Sequence, residues 1–518
     1  MADRAQPVRP GAGIVAATLV AVTILGSLAA VFWRAGGAVS PGPADWSAVR
    51  FTILQALVSA GLSLVLAIPV ARALARRRFP GRGLLVTLLG APFLLPVIVA
   101  ILGLLAVFGR SGWVNGALGA FGLPPIQIYG FHGVVLAHVF FNLPLATRLI
   151  LQGWAEIPAE RFRLAAQLNL GPGDIRRLLE WPMLARIAPG AFAVVFGICL
   201  TSFAVALTLG GGPRATTVEL AIYQAFQFDF DLGRAAFLAC IQIALTLSAA
   251  LIALRLATGE SFGAGLDRIV DRWDADAPGL RLTDTACIMF AALFLVVPMA
   301  AVAVNGLPGM LSLPASVWRA VAASLKVALL SLAVLSALAI PMTAALSLGR
   351  HRWIDLAGLL GLAVSPLALG TGLFIVLYPL ADPAALALPV TAGVNAVMAL
   401  PFAMRILVPA ARTIVQDHGR LGAHLDMGRG PFLRLVLLPR LAPQLGFAAG
   451  LGMALSLGDL GVIALFANND AATLPLQIYR LMGAYRMQAA SGAALLLMLL
   501  AFGAFWICDH KGRARAET

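Results

Sequence analysis

The stretch that decides the fold of this chain is Arg163-Leu-Ala-Ala-Gln-Leu-Asn-Leu-Gly171, which continues to Trp181-Pro182. The same spacing recurs 257 positions later as Arg420-Leu-Gly-Ala-His-Leu-Asp-Met-Gly428, which continues to Leu438-Pro439. This offset is close to half of the 518 residues. The sequence therefore indicates an internal duplication, with one copy of the stretch in each half.

A gapless alignment supports the duplication. Residues 138–182 align with residues 395–439 and share 14 identical residues in 45 positions. The identities include two prolines, two glycines and three arginines, which match by chance far less often than Leu or Ala in so apolar a chain. The two halves are therefore expected to share one fold.

The composition is that of a membrane protein. Hydrophobic residues make up 60% of the chain and charged residues 12%, and the mean hydropathy is +0.92. Soluble proteins have roughly 45–50% apolar and about 25% charged residues, so we expect an all-α protein that crosses the membrane several times. A spanning helix needs about 20 apolar residues. The segments that meet this requirement are 14–33, 51–71, 84–107, 131–151, 187–209, 235–254, 284–304, 320–347, 354–379, 388–408, 443–466 and 489–507. Segment 388–408 is the weakest of these twelve, because Pro389 and Pro401 interrupt it.

The basic residues predict the orientation in the membrane. With the N-terminus in the cytoplasm, 28 of the 37 Lys and Arg residues fall on the cytoplasmic side, including the cluster between Arg72 and Arg82 and both copies of the repeated stretch. Because cytoplasmic loops carry an excess of Lys and Arg, both termini are predicted to be cytoplasmic. Topology and contact with anionic lipid explain the net charge of +14, and no nucleic-acid partner is expected.

The halves are separated by the one long polar segment of the chain, residues 258–283, which carries charges of both signs. We interpret it as a cytoplasmic linker. The first half is then residues 1–257, with its repeated loop at 156–184. The second half is residues 284–518, with its loop at 413–441. Each half has about six membrane helices, and both loops lie on the same side, so the repeat is parallel.

Each repeated loop is predicted to form two short helices joined by a glycine turn. In the first copy Pro158 opens a helix on which Leu164 and Leu168 form an apolar stripe, and the turn at 171–173 ends it. Asp174 is expected to cap the second helix, which ends at the proline before the next span. Helices this short are marginally stable in water, so the loop is expected to dock on a partner protein.

The two loops resemble the EAA loop of ATP-binding-cassette (ABC) importer permeases, whose outline is Glu-Ala-Ala, three residues, Gly and a later Leu-Pro pair. Both copies depart from it, because Arg163 and Arg420 replace the Glu, and Asn169 and Asp426 replace the Gly. In that family the loop carries a coupling helix that docks on the ATPase subunit. The resemblance implies this role for Arg163, Leu164, Ala165, Asn169, Gly171, Gly173, Trp181, Pro182, Arg420, Leu421, Gly422, Asp426, Gly428, Gly430, Leu438 and Pro439.

Further motifs narrow the resemblance. Segments 76–82, 109–113, 138–148, 209–224 and 457–466 are similar to the fused permeases of bacterial thiamine or thiamine pyrophosphate importers, and the likeness extends from about residue 46 to 486. It implies a type I importer permease of two six-helix halves in the bacterial inner membrane, which works by alternating access. It also implies two copies of a separate ATPase subunit, which binds ATP and Mg²⁺, and a periplasmic binding protein.

The chain itself is expected to be a transport subunit and not an enzyme. Its lysines are Lys326 and Lys511, and neither belongs to the nucleotide-binding pattern G-x-x-x-x-G-K-[ST]. The energy for transport must then come from the partner ATPase, and no cofactor is expected in this chain. The histidines lack the spacing of metal ligands, so no metal site is expected either.

Two further regions are candidate sites. Asp459 stands in an apolar segment beside Gly458 and Gly461, and a charge inside a membrane segment is costly and often functional. It is interpreted either as an anionic point on the translocation path or as a hydrogen-bonding group at a helix break. The outer segment 210–234 is either a docking surface for the binding protein or a re-entrant loop with aromatic anchors. Its candidate docking residues are Arg214, Glu219, Tyr223, Asp229 and Asp231.

Other functions stay open on the sequence alone. The nearest is a permease for ferric iron or another small solute that a binding protein delivers. A transporter driven by an ion gradient would have no need of two cytoplasmic docking loops. A membrane-embedded enzyme would need clustered His, Asp or Glu in the membrane segments, which contain almost none.

Overall fold

The computed structural model describes residues 11–36, 42–90, 92, 94–212, 215–256, 278–349, 351–383, 385–467 and 472–517. Within these ranges the regular structure is helical and contains no strand. Eleven helices are long and apolar enough to cross a membrane, or twelve if the bent pair Arg352–Ala363 and Pro366–Leu377 forms one span. The expected all-α fold with about twelve membrane helices is confirmed.

The helices of the first half are α1 (Gly11–Ala35), α2 (Pro43–Arg76), α3 (Arg82–Leu88), α4 (Val97–Phe108), α5 (Trp113–Ala120), α6 (Phe131–Glu156), α7 (Ala159–Gln167), α8 (Pro172–Ile175), α9 (Trp181–Leu200), α10 (Ala204–Leu209), α11 (Val218–Gln227) and α12 (Leu232–Leu256). Those of the second half are α13 (Pro278–Met310), α14 (Ala315–Leu348), α15 (Arg352–Leu359), α16 (Pro366–Leu377), α17 (Ala387–His424), α18 (Arg429–Phe432), α19 (Leu438–Arg440), α20 (Ala442–Gly458), α21 (Gly461–Phe466), α22 (Leu474–Gly483) and α23 (Met487–Glu517).

The halves repeat each other helix by helix. The helices α2 and α14 both have 34 residues, α4 and α16 both have 12, and α11 and α22 both have 10. A hydroxyl group on the long helix holds the start of the short one in each half. The Val218 N–H donates to Thr52 Oγ1 at 2.9 Å, and the Leu474 N–H donates to Ser324 Oγ at 2.7 Å. The duplication in the sequence thus extends to the fold.

The first helix of each half packs on the other half. Helix α1 lies against α14, α15 and α16, and α13 lies against α2 and α4. Glycines make these crossings close. A Cβ atom on Gly103 of α4 would collide with the carbonyl group of Pro298, and a Cβ atom on Gly372 of α16 would collide with that of Ser27. Gly103 and Gly372 occupy the same position in their helices. Each half thus receives the first helix of the other half at an equivalent site, and we call this arrangement the exchange of first helices.

Several spans that were predicted as continuous helices are broken. The predicted segment 187–209 breaks between α9 and α10, and 443–466 breaks between α20 and α21. The segment 84–107 divides into α3 and α4, and 354–379 bends by 100° before α16. Hydropathy does not show these breaks, because each lies within a segment that is apolar overall, although Ser202, Ser365 and Asp459 stand at three of them. Prolines mark two of these breaks. Pro96 and Pro366 stand at the start of α4 and α16, where a backbone N–H group has no hydrogen-bond partner within the helix.

The segment with the weakest prediction is the longest helix in the structure. Helix α17 has 38 residues and runs through Pro401 and Pro409 without a break. Pro389 lies in its first turn, where the N–H group has no partner within the helix. The membrane helix predicted at 388–408 is therefore confirmed, and its prolines do not interrupt it. At the linker, residues 258–277 lie outside the described residues, and residues 278–283 already belong to α13.

Candidate functional site

Each repeated loop folds into an elbow on one end of the helix bundle, and its turn explains a departure from the EAA outline. Asn169 and Asp426 have left-handed backbones, with φ of 52° and 47°. The Leu170 N–H donates to the Ala165 carbonyl at 3.0 Å, which closes the end of α7 in the manner usual for a left-handed C-terminus. Glycine fits this conformation best, and Asn and Asp are the residues that replace it most often. The Asn and Asp therefore preserve the turn that the family's glycine makes.

The second helix of the elbow begins earlier than expected. It starts at Pro172, so Asp174 is its third residue and not its cap. The Asp174 carboxylate instead accepts a hydrogen bond from the Gly171 N–H at 3.1 Å. It thereby satisfies a backbone donor at the turn, as an acidic residue at the third helical position does in a capping box.

The proline at the end of the elbow does not end a helix, which corrects the prediction. In the first copy a single π-helical turn, Arg176–Glu180, leads directly into α9 and Pro182. In the second copy the turn Leu433–Leu437 leads into α19 and Pro439 at the equivalent position. A π turn changes the hydrogen-bond register of a helix, which here accommodates a residue without an N–H group. The first elbow is therefore continuous with α9, whereas the second reaches α20 after a one-residue break at Leu441.

The two elbows differ in how they are joined to the preceding helix. In the first copy α6 ends at Glu156, and α7 begins separately after Pro158. Val415 stands at the position equivalent to Pro158, and α17 continues without interruption to His424. The prediction of two short helices per loop is thus wrong for the second copy. Without the proline nothing interrupts the backbone hydrogen bonds.

Exposed leucines form the same apolar patch on both elbows, which we call the leucine patch. Its members are Leu164, Leu168 and Leu178 in the first copy, exposed to 56%, 62% and 57%, and Leu421, Leu425 and Leu435 in the second, exposed to 56%, 63% and 65%. The predicted apolar stripe of Leu164 and Leu168 is confirmed and extended by a third residue. Exposed apolar patches of this kind mark interaction surfaces.

The face of each elbow opposite the leucine patch is buried. Ala165 and Ile175 lie there in the first copy, with Gly422 and Phe432 at the equivalent positions of the second. A Cβ atom on Gly422 would lie 2.8 Å from the Phe432 ring. The second copy therefore pairs Phe432, which is larger than Ile175, with Gly422, which is smaller than Ala165. The other proposed coupling residues, Arg163, Asn169, Gly171, Gly173, Trp181, Pro182, Arg420, Asp426, Gly428, Gly430, Leu438 and Pro439, lie at least partly exposed along the two elbows.

Ion pairs connect the first elbow to the arginine cluster. The buried Glu180 carboxylate contacts Arg72 Nε at 2.8 Å. Arg76 and Arg77 contact both oxygens of Asp284 on α13, at 2.6 and 2.8 Å. The cluster, interpreted from the sequence as a determinant of topology, therefore also joins the elbow and the two halves. The partners in each ion pair lie more than 100 positions apart, so no local sequence pattern predicts these pairs.

Asp459 lies at the break between α20 and α21. Its Oδ1 atom accepts a hydrogen bond from the Gly461 N–H at 3.2 Å. Gly458 packs on Pro96, and Gly461 packs on Leu367 and Phe203. The hydrogen bond that one interpretation expected at a helix break is thus present. A role of Asp459, Gly458 and Gly461 in the translocation path stays a prediction.

The outer segment contains a buried helix, α11. Glu219 has no exposed surface and Tyr223 is 8% exposed, so in this conformation neither is accessible to a docking protein. Burial raises the pKa of Glu219 to about 8, although the nearby Ser365 hydroxyl acts in the opposite direction. Asp229 and Asp231 are exposed and flank Arg234, whose guanidinium contacts Asp229 at 3.0 Å. Arg214 lies outside the described residues.

Two exposed aromatic residues stand just beyond the ends of α11 and α22. Phe230 is 82% exposed with a φ of 50°, and Tyr485 is 92% exposed with a φ of 58°. A left-handed backbone is unfavourable for a residue with a bulky side chain, and such strain clusters at functional sites. Tyr485 was not predicted.

Comparisons with known proteins agree with this architecture. The chain is 40% identical to the thiamine transport system permease protein ThiP of Brucella abortus (strain 2308), over 98% of this chain and 96% of that protein. It is 39% identical to the protein of the same name from Escherichia coli (strain K12), over 100% of both. The sulfate transport system permease protein CysW of Synechocystis sp. is 26% identical over 38% of this chain. No protein-family model matches the chain.

The similarity to the ThiP proteins covers both elbows, the helix breaks and the exchanged first helices, because it extends over nearly the whole length. The chain is accordingly a multi-pass inner-membrane permease with a transport function. It belongs to the family of thiamine transport system permease proteins.

Proposed function

We propose that this chain is the permease subunit of an ABC importer that moves thiamine or thiamine phosphates from the periplasm to the cytoplasm. The names of its relatives support thiamine over ferric iron as the substrate. The observation that carries the mechanism is the leucine patch, which is repeated with nearly equal exposure on both elbows. Two equivalent docking surfaces fit two copies of one ATPase subunit, which would bind ATP and Mg²⁺.

The proposed topology places both elbows and both termini in the cytoplasm, following the basic residues. The domains are then residues 1–257 and 284–518, joined by the linker 258–283, of which residues 278–283 form the first turns of α13. Closure of the two ATPase copies would press on both elbows. A π turn lies between each elbow and the membrane helix that follows it. Through this connection the movement would reach the interface between the halves and open it in turn to each side of the membrane.

The periplasmic binding protein is proposed to dock on the opposite end of the bundle. Asp229 and Asp231 supply exposed charge there, and Phe230 and Tyr485 supply one exposed aromatic side chain from each half. Exposed aromatic and charged groups together suit a specific protein interface. Exposed groups in both halves suit a partner that contacts both halves at once.

The substrate is tested by uptake of labelled thiamine into cells that lack the gene for this chain and every other thiamine uptake route. Restoring the chain together with its ATPase and binding protein should restore uptake at low external thiamine. Labelled ferric iron serves as the comparison substrate. Iron uptake without thiamine uptake would overturn the proposal.

The ATPase contact is tested on the leucine patch. Replacing Leu164 and Leu168 with Ser, or Leu421 and Leu425 with Ser, should reduce co-purification of the ATPase and lower uptake several-fold, because each change removes exposed apolar contact area. Leu311→Ser is the matched control, since Leu311 is 92% exposed at the other end of the bundle. ATPase binding that is unchanged in both double variants would contradict the docking role.

A further inference from the structure

One buried carboxyl group, Glu219, has no role in the function proposed above. Its side chain is completely buried, and neither carboxyl oxygen makes a hydrogen bond of ordinary geometry. Burying a carboxyl group without a partner is costly, and buried polar groups nearly always have partners. A buried carboxyl group without a hydrogen-bond partner therefore indicates a group that binds a ligand.

Glu219 lies at the interface between the two halves. Its helix, α11, belongs to the first half but packs on α16 and α21 of the second. The Ser365 hydroxyl at the start of α16 lies beside Glu219, and Leu367, two residues further on, packs on Gly461. Asp459, which holds the Gly461 N–H, leaves its Oδ2 atom without a partner. Two acidic side chains with unpartnered oxygens therefore lie on either side of the start of α16.

Aromatic rings accompany the two acids. Phe203 packs edge-on against Tyr223, one turn along α11 from Glu219, with ring centroids 5.2 Å apart. The same Phe203 ring reaches the helix break at Gly461. Phe226 and Phe374 close the interface nearby, with ring centroids 4.3 Å apart. Aromatic faces attract organic cations, and carboxylates supply the opposite charge.

We propose that Glu219, together with Asp459, binds the positively charged ring of the substrate as it passes between the two halves. The inference rests on the proposed function, because thiamine carries a cationic thiazolium ring. A cation beside a carboxyl group favours its ionised form, so Glu219 loses its proton and supplies the charge when the ring is bound. Phe203 and Tyr223 supply flat apolar surface. The structure represents the closed site, with the interface packed around the two acids. Separation of the halves would open it.

The test uses the complete transporter in proteoliposomes, with the chain, its ATPase and a binding protein saturated with labelled thiamine. Saturation keeps the first recognition step constant. Wild-type uptake is measured first, and its absence would overturn the proposed substrate itself. Glu219→Gln is expected to lower uptake about tenfold, because it removes the negative charge that attracts the cationic ring. Stimulation of ATP hydrolysis by the binding protein should stay close to that of the wild type.

Two further variants separate this role from a structural one. Tyr223→Leu keeps both carboxyl groups and should lower uptake several-fold under the same saturating conditions, because it removes an aromatic face beside the cation. Asp355→Asn removes an exposed carboxylate on α15 and should leave uptake unchanged. The inference fails if Glu219→Gln transports at the wild-type rate. It also fails if that variant loses uptake, ATPase stimulation and thermal stability together, since that pattern identifies a group needed only for folding.

Discussion

Single residues fix the shape of each elbow. Asn169 and Asp426 both adopt a left-handed backbone at the end of a helix, and this conformation explains why two different polar residues stand where related loops have glycine. Their side chains are exposed, so the backbone conformation and not a side-chain contact is the feature that the turn requires. The requirement is a steric one, and it makes a simple prediction.

Replacing Asn169 with Gly should leave uptake and membrane levels unchanged, because glycine adopts a left-handed backbone without strain. Replacing it with Val should cost about 1–2 kcal/mol of elbow stability and lower uptake. Asp426→Gly and Asp426→Val form the equivalent pair in the second copy. Limited proteolysis of the elbow together with thiamine uptake provides the measurement. If the Val variants match the Gly variants, the left-handed backbone is not the property under constraint.

Glu219 predicts a pH dependence of stability. Burial raises its pKa from 4.5 to about 8, so the folded protein holds this proton more tightly than the unfolded chain. The free energy of unfolding should therefore fall as the pH rises from about 4.5 to about 8, and this group should cause no further loss above that range. Glu219→Gln has no such proton. Its unfolding temperature should decline by a few degrees less than that of the wild type over this range. Parallel curves for the two proteins would show that burial does not perturb Glu219.

At the scale of elements, the elbows are alike on their surface and different in their attachment. Both carry the leucine patch, and both join the following helix through a π turn. The first is separated from α6 at Pro158 and bound to α2 by Glu180 and Arg72. The second is the rigid end of α17. Equal movements of two ATPase copies would therefore be transmitted through a separate short helix in the first half and through the continuous helix α17 in the second half.

A proline at Val415 should convert the second attachment into the first. Val415→Pro breaks the hydrogen bonds of α17 between the membrane and the elbow, at a cost of about 3 kcal/mol. We expect uptake per ATP hydrolysed to fall several-fold at matched membrane levels. Pro158→Ala is the control, because it removes a break from the equivalent position and should have little effect. An equal loss in both variants would argue against the difference in attachment.

At the scale of the whole molecule, the exchange of first helices holds the halves together. Helices α1 and α13 cross the helices of the opposite half, and Gly103 and Gly372 make the two closest crossings. Arg76 and Arg77 add ion pairs to Asp284 at the start of α13. The permease therefore behaves as one interlocked body and not as two domains that touch.

Gly103→Ala and Gly372→Ala should each lower the unfolding temperature and the yield of folded protein. The added methyl group meets a backbone carbonyl group, which cannot move aside as a flexible side chain would. Gly393→Ala is the matched control, because no atom lies within 4 Å of its added Cβ. Fluorescence-detected size-exclusion chromatography of heated samples measures the effect. Normal stability of both variants would contradict the close crossings.

Much of this architecture could be predicted from the sequence because it depends on local pattern or repetition. Apolar length predicts the spans, and the recurrence of Gly171 and Pro182 as Gly428 and Pro439 predicts two elbows on one side of the membrane. The break at Asp459 was one of two interpretations of that residue, and the other helix breaks were missed because the average apolar character of each segment hides the few polar residues in it. The pairing of Glu180 with Arg72 was missed because folding, and not sequence proximity, creates it.

Helix α1 leaves the ribosome long before the helices that cover it exist. About 330 residues separate Ala35 from the start of α16 at Pro366, and their synthesis takes about 15 to 65 s at about 5–20 residues per second. During that time the side of α1 that packs on α16 in the finished protein lacks this partner, although α12 and α14, which also pack on α1, are made earlier. Tethering both halves in one polypeptide gives each first helix a high effective concentration of its partner. It also ensures that the two halves are made in equal numbers.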